Sequence, residues 1–131
     1  MKNFTIRIPL LILLMLSSCL KEPGTGGTSV ISGKVYAYDY NAEMTSLRTE
    51  YYAPDEDVFI IYGNDSVFSD RTRTSYEGTY RFEYLRPGTY TIYAYSKNLE
   101  TKLPPLLAVK KTVRILEENQ VVLVEDIQIN K

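Results

Sequence analysis

Apolar and polar residues alternate with a period of two along most of this 131-residue chain. β-branched and aromatic residues fill the alternating runs, and short groups of Gly, Pro, Asn, Asp and Ser separate them, which is typical of strands joined by turns. The pattern predicts seven strands, at residues 30–38, 58–62, 67–74, 79–84, 89–95, 106–115 and 121–129. Strands at this spacing, with no helical stripe between them, indicate a single all-β sandwich or barrel.

The alternation also predicts a group of tyrosines that point away from the core. Val35 and Ile92 are in phase with the other apolar residues of their strands and are expected to face inward. The tyrosines that then face outward are Tyr36, Tyr38, Tyr93 and Tyr95. Such side chains could stack against a glycan or offer a platform to a protein partner, which makes them a candidate binding face. The alternative is ordinary β-propensity on a solvated sheet.

Two connections between the predicted strands are irregular. Residues 39–57 join the first two strands with nineteen residues, which is longer than most loops of compact domains. Long loops on a rigid scaffold often carry binding residues, and the sequence leaves open whether this one does. The second irregular segment, 97–105, ends in two prolines.

The N-terminal residues are typical of a targeting segment. Lys2 and Arg7 precede an apolar run at 8–16 that is too short to span a bilayer. The tetrapeptide at 16–19, Leu-Ser-Ser-Cys, resembles the lipobox of bacterial lipoproteins. The resemblance implies cleavage before Cys19 and attachment of acyl chains such as palmitate, which would anchor the protein to a membrane. The alternative is an ordinary secretory signal with an incidental cysteine.

This interpretation divides the chain into three parts. Residues 1–18 are the predicted lipoprotein signal peptide, 19–28 a lipid-anchored flexible tether rich in Gly and Thr, and 29–131 the β-sandwich domain. Leu20 stands where some inner-membrane lipoproteins carry an Asp retention signal, so the outer membrane is the expected location. The charged pair at 21–22 resembles a signal for display at the cell surface.

Composition narrows the chemistry that the protein can perform. The chain has no His and one Cys, which excludes a His base, an ordinary His-bearing metal site and an internal disulfide. Residues 1–18 hold two of its 15 basic residues and none of its 16 acidic ones, so the processed chain would have a net charge of −3. Because nucleic-acid binding requires a basic stripe, no nucleic-acid partner is expected. A small hydrolase using two carboxylates is the least favoured alternative, because no pair lies in a recognisable cleft.

Residues 78–92 carry a family resemblance. Their sequence, Gly-Thr-Tyr-Arg-Phe-Glu-Tyr-Leu-Arg-Pro-Gly-Thr-Tyr-Thr-Ile, resembles the G-x-Y-x-F-x-x-L-x-P-G-x-Y-x-V motif of carboxypeptidase regulatory-like domains. Residues 32–35 resemble the S-G-x-V opening of that family, and 53–58 its entry to the second strand. The family belongs to the transthyretin-like (prealbumin-like) group. The resemblance implies a seven-stranded Greek-key sandwich with a non-catalytic role, and the long loop at 39–57 departs from it.

The same fifteen residues can be interpreted without the family. Alternation predicts a hairpin in which Pro87 and Gly88 form the turn. The residues expected on its inward side are Tyr80, Phe82, Leu85, Tyr90 and Ile92.

The sequence does not favour a calcium site or an isopeptide bond. Asp55, Asp57 and Asp65 carry the hard oxygens that Ca²⁺ prefers, but no loop has EF-hand spacing, so solvated turn residues are the better interpretation. We therefore expect no metal and no cofactor. The family is akin to Cna B-type repeats, some of which contain a Lys–Asn isopeptide bond. Lys34, Glu83 and Asn130 lie in roughly suitable strands here, but the alternation places Lys34 in solvent.

Together these features predict a non-catalytic lipoprotein of the cell envelope, anchored in the outer membrane through Cys19. It would act as a binding or structural module for a glycan or an envelope protein. The alternative is an accessory subunit of a larger outer-membrane or adhesin assembly, in which the tyrosine surface docks on protein. The sequence does not name the ligand.

Overall fold

The computed structural model describes residues 22–102 and 104–131, and in these ranges the chain forms β-strands and no helix. The nine strands of this part are β1 Thr25–Tyr40, β2 Leu47–Tyr52, β3 Asp57–Tyr62, β4 Asp70–Arg73, β5 Thr79–Leu85, β6 Gly88–Ser96, β7 Leu107–Ile115, β8 Val121–Leu123 and β9 Ile127–Asn130. The all-β prediction is confirmed, but the predicted count of seven strands is wrong, because the described residues form nine. Nothing in the described ranges is a helix of the length and apolarity needed to cross a membrane. The predicted signal peptide and Cys19 lie outside the described residues.

Two sheets enclose the core. Sheet II is antiparallel with the strand order β4-β3-β6-β7. Sheet I is built around β1, with β5 and β2 antiparallel to it and β8 and β9 parallel to it. The N–H of Val35 donates to the C=O of Gly78 (3.0 Å), and the C=O of Val35 accepts from the N–H of Ala53 (2.9 Å). Because both groups of one strand residue point the same way, β5 and β2 lie end to end along one edge of β1.

The core contains the side chains that the alternation placed inward. Tyr80, Phe82, Leu85, Tyr90 and Ile92 are all buried, which confirms that part of the prediction. The two strands that carry them do not form the predicted hairpin. Since β5 pairs with β1 in sheet I and β6 pairs with β3 and β7 in sheet II, the turn between β5 and β6 is an arch from one sheet to the other.

The arch is fixed by the buried hydroxyl of Tyr90. This hydroxyl donates to the C=O of Arg86 (2.6 Å) and accepts from the N–H of Gly24 (2.9 Å). Gly88 has a φ of 151°, and a Cβ at this position would lie 2.5 Å from the Cγ of Pro23. The Pro-Gly turn therefore holds the residues before β1 as well as the two strands that it connects.

Three predicted boundaries are corrected by the strand pairing. The segment 39–57 is not one long loop, because it contains β2, which pairs with β1. The predicted last strand, 121–129, is divided into β8 and β9, and both pair with β1. The predicted strand at 67–74 is reduced to β4, Asp70–Arg73.

The predicted tether also overlaps a strand. Residues 25–28 belong to β1, and the carboxylate of Glu118 accepts from the N–H (3.2 Å) and the hydroxyl (2.8 Å) of Thr28. The glycines that predicted a flexible tether instead allow this segment to pack closely against neighbouring backbone. A Cβ on Gly27 would lie 2.2 Å from the carbonyl oxygen of Leu85.

Candidate functional site

The four tyrosines predicted to share one face lie on two different sheets. Tyr36 and Tyr38 are on β1 of sheet I, whereas Tyr93 and Tyr95 are on β6 of sheet II. Each pair alternates with buried residues, so all four side chains point out of the sandwich, but from its opposite outer faces. The prediction of a single four-tyrosine face is therefore wrong. Alternation along a strand shows on which side of its own sheet a side chain lies. It does not show to which sheet the strand belongs.

The outer face of sheet I holds a row of tyrosines that continues from β1 to β2. Tyr36 lies opposite Tyr52 on one side and Gln128 of β9 on the other. The ring centroids of Tyr36 and Tyr38 are 5.4 Å apart at 72°, and those of Tyr36 and Tyr52 are 5.0 Å apart at 82°. We call this surface the tyrosine face, and its residues are Lys34, Tyr36, Tyr38, Glu50, Tyr52, Asp126 and Gln128.

Polar side chains hold the tyrosine face in place. The hydroxyl of Tyr52 donates to Oδ2 of Asp126 (2.9 Å), and Nζ of Lys34 lies 4.7 Å from the centroid of the Tyr52 ring. This hydrogen bond and the charge of Asp126 raise the pKa of Tyr52. Burial, and then a hydrogen bond with Glu50, raise the pKa of Tyr36. Both phenols consequently remain protonated hydrogen-bond donors at neutral pH.

The outer face of sheet II holds a second aromatic group, which we call the aromatic cluster: Phe59, Phe68, Tyr93 and Tyr95. Phe59 and Tyr93 are stacked, with centroids 5.0 Å apart and an interplanar angle of 15°, and they are only 8% and 7% exposed. Tyr95 and Phe68 pack edge-on against Phe59, at 5.4 Å and 5.1 Å. Burial and the neighbouring Tyr95 raise the pKa of Tyr93. Tyr93 thus points outward but is covered by its neighbours.

Three aromatic residues of these surfaces were not predicted from the sequence. Tyr52 was assigned to a loop. Its strand, β2, is largely exposed and therefore has no alternation of buried and exposed residues that would identify it as a strand. Phe59 lies in a run of four apolar residues, 58–61, whose two faces cannot be distinguished by hydrophobicity. Phe68 precedes β4 in a turn segment. The cross-strand register, which brings them to the predicted tyrosines, is set by long-range pairing.

The calcium candidates are not brought together. Oδ1 of Asp55 lies 3.5 Å from Arg73, and Oδ1 of Asp57 lies 3.1 Å from the same guanidinium, whose pKa these carboxylates raise. Asp65 lies beyond the other end of β3, where it accepts from the hydroxyl of Ser69 (3.4 Å). Within 22–102 and 104–131 no group of three or more acidic or Cys side chains is arranged to hold a metal ion.

The residues weighed for an isopeptide bond are also separated by their contacts. Lys34 lies over Tyr52 on the outer surface of sheet I, in agreement with its predicted direction. Glu83 accepts from Nε of Arg81 at 2.6 Å. These contacts supply no buried Lys–Asn pair beside a carboxylate.

Two depressions among the described residues are relevant to the question of catalysis. One of about 560 Å³ lies between Pro23, Tyr62 and Asn64, and one of about 300 Å³ lies beside Tyr95 and Lys131. Each is lined by two carboxylates, Glu22 and Asp65 in the first and Glu56 and Asp57 in the second. Glu56 is bonded to Lys131 and Asp57 to Arg73, so each already has a cationic partner. Such pairing favours a structural role for these carboxylates over acid–base chemistry.

Comparisons with known proteins show a structural similarity but no family. No protein-family model matches the chain, and no curated protein matches it. One solved structure to which it is similar is the crystal structure of a Pseudomonas aeruginosa protein proposed to bind carbohydrate, with a TM-score of 0.48 and 17% identity. The match covers 78% of this chain and 90% of that one. The resemblance to carboxypeptidase regulatory-like domains stays a prediction.

Proposed function

We propose that this chain is a non-catalytic module of the bacterial cell envelope that binds a neutral glycan on its tyrosine face. The observation that carries the proposal is the combination of three adjoining tyrosine rings with carboxylate and amide groups on one outer surface. Sugars present C–H groups that pack on aromatic rings and hydroxyls that bond to polar side chains. The tyrosine face offers both kinds of contact on the adjoining strands β2, β1 and β9.

The polar groups of the face are of two kinds. Asp126 accepts a hydrogen bond from the hydroxyl of Tyr52, and this contact holds that ring in place before a ligand arrives. The amide of Gln128 makes no hydrogen bond with the described residues and is exposed, so it is free to bond to a sugar hydroxyl. Tyr52 is 41% exposed and leaves ring surface for contact. Rings that are already oriented lose little conformational entropy when a ligand binds.

The experiment measures binding of soluble neutral polysaccharides, such as dextran, xylan and starch, to the purified chain by titration calorimetry. Tyr36→Ser is expected to weaken binding by about tenfold or more, since one buried aromatic contact contributes over 1 kcal/mol. The matched control is Tyr76→Ser, because Tyr76 is 92% exposed and belongs to neither face. Equal affinity of the two variants, or no binding by the unaltered chain, would contradict the proposal.

We also infer that the protein is an outer-membrane lipoprotein acylated at Cys19. The support is the sequence of residues 1–19, with its positive start, short apolar run and Leu-Ser-Ser-Cys ending. Labelled palmitate fed to expressing cells is expected to appear in the chain and to be absent from Cys19→Ala. Leu20→Asp is expected to move the protein to the inner-membrane fraction, and an unchanged distribution would count against sorting by this position.

The fold is proposed to be transthyretin-like. The support is the motif at 78–92, whose Pro-Gly turn is the arch between the two sheets and whose apolar residues are buried on both sides of it.

A second candidate function is that of an accessory subunit in a larger envelope assembly. It is favoured by three exposed apolar side chains in the segment that follows β7: Leu116, Val121 and Leu123. Leu123→Glu is expected to release a protein partner while leaving polysaccharide binding unchanged. Cross-linking in whole cells, followed by recovery of the chain, distinguishes this role from glycan binding.

A further inference from the structure

One row of side chains crosses all four strands of sheet II on its outer face. Arg71 of β4 lies opposite Phe59 of β3, Phe59 opposite Tyr93 of β6, and Tyr93 opposite Lys110 of β7. Residues directly opposite each other point to the same side of a sheet, so these four share the outer face. Three strand spacings separate the Cα atoms of Arg71 and Lys110 by about 14 Å. The row therefore consists of two aromatic rings with a cation at each end.

The two cations of the row have no anionic partner among the described residues. The neighbouring guanidinium of Arg73 is paired with Asp55 and Asp57, and that of Arg81 on sheet I is paired with Glu83. No carboxylate of the described chain lies within ion-pair distance of Arg71 or Lys110. The whole chain has a net charge of −1, so this local positive charge is not a consequence of composition.

The space between the cations is aromatic at its surface. Phe68 is 48% exposed and Tyr95 is 44% exposed, and both lie edge-on against the buried Phe59. The next row along the sheet holds Thr91 opposite Thr112, which adds two hydroxyls to the same face. Ring surface, hydroxyls and separated cations are thus combined on one side of sheet II.

We propose that this surface binds an acidic polysaccharide. Its carboxylates would pair with Arg71 and Lys110, and the sugar rings between them would pack on Phe68 and Tyr95. The spacing of the cations favours a polysaccharide over a nucleic acid, because nucleic acids carry a phosphate at every nucleotide and are bound by continuous basic stripes. The site lies on the opposite side of the molecule from the tyrosine face and does not depend on the function proposed for that face.

The probe is polygalacturonate or alginate, measured by calorimetry with the full chain. Dextran is the neutral comparison, and any binding of dextran on the tyrosine face is expected to be unchanged by substitutions at Arg71 and Lys110. The double variant Arg71→Gln/Lys110→Gln is expected to bind the acidic polymer about tenfold more weakly or worse, because it loses two charge-assisted contacts. The control Arg81→Gln/Lys102→Gln removes the same net charge elsewhere on the surface. Raising the salt concentration is expected to weaken binding by the unaltered chain.

A second variant tests the aromatic part of the site. Phe68→Ser is expected to reduce affinity for the acidic polymer while the salt dependence is preserved, since the cations remain. Thermal unfolding of each variant, followed by circular dichroism, separates loss of the site from loss of the fold. Tyr36→Ser on the tyrosine face is expected to leave binding of the acidic polymer unchanged, so failure of this proposal and failure of the proposed function are distinguishable.

Three outcomes would overturn the proposal. The first is that neither acidic polysaccharide binds the unaltered chain. The second is that the control pair of substitutions weakens binding as much as Arg71→Gln/Lys110→Gln, which would reduce the effect to net charge. The third is that single-stranded DNA binds this face more tightly than the acidic polysaccharides do.

Discussion

The two outer faces of the sandwich carry similar numbers of aromatic rings but arrange them differently. On sheet I, Tyr36 meets its neighbours at 72° and 82°, and the surrounding polar groups contact ring atoms or hydroxyls. On sheet II, Phe59 and Tyr93 are stacked at 15° and are covered by two further rings. A side chain that points out of a sheet is therefore not necessarily exposed.

The difference comes from the cross-strand neighbours. Tyr36 lies between Tyr52 and the exposed amide of Gln128, so its surroundings are partly polar. Tyr93 lies between Phe59 and Lys110, and the aromatic neighbour forms a small core with it outside the sandwich. Similar aromatic content thus leaves ring surface exposed on one face and forms a packed cluster on the other.

The largest expected effect tests this difference in stability. Phe59→Ala is expected to lower the free energy of unfolding by about 3 kcal/mol, because it removes the ring against which three others pack. Tyr36→Ala, on the more open face, is expected to cost about 1 kcal/mol. Urea denaturation monitored by circular dichroism measures both. Equal losses would show that the two faces do not differ in packing.

A smaller effect compares hydroxyl groups on the two sides of sheet I. The hydroxyl of Tyr80 is buried in the core and has no hydrogen-bond partner among the described residues, whereas that of Tyr52 on the outer face donates to Asp126. Tyr80→Phe is expected to raise the free energy of unfolding by about 1 kcal/mol, since it removes an unsatisfied polar group. Tyr52→Phe is expected to lower it by up to about 1 kcal/mol. Changes of the same sign would contradict this assignment.

The smallest effect is a dependence on alkaline pH. The pKa values of Tyr36, Tyr52 and Tyr93 are raised above the ordinary value of 10.0. A raised pKa in the folded state means that the stabilisation is present below pH 10.0 and is lost as the pH rises through the folded value. Asp126→Asn is expected to lower the pKa of Tyr52, and to a lesser extent that of the buried Tyr80, as measured by tyrosinate absorbance. An unchanged titration curve would show that Asp126 does not hold this phenol.

The sequence predicted the inward or outward direction of side chains better than it predicted which strands share a sheet. The inward residues of 78–92 followed from alternation, because each side of the arch buries its apolar set against the same core. That alternation could not show that β5 and β6 belong to different sheets, since a hairpin and an arch have the same inward residues. Segment 121–129 was likewise apolar enough for a strand, but its division and its pairing with β1 depend on contacts with residues 30–38.

The candidate site was predictable only in part for the same reason. Tyr36 and Tyr38 were found because they alternate with buried residues, but Glu50 and Tyr52 belong to a strand without such a pattern. Arg71 and Lys110 are ordinary surface cations in the sequence. Their position at the two ends of one aromatic row exists only after four strands have paired in register.

The central place of β1 also determines when the molecule can be completed. Residues 35–38 near the start of the domain pair with residues 127–130, and the N–H of Lys131 donates to the C=O of Tyr38 at 2.9 Å. Folding becomes slower as contacting residues lie further apart in the sequence. This pairing is therefore expected to form more slowly than a hairpin between neighbouring strands. The pairing of β9 with β1 cannot form until residues 127–130 have been synthesised, so sheet I is the later of the two sheets to be completed.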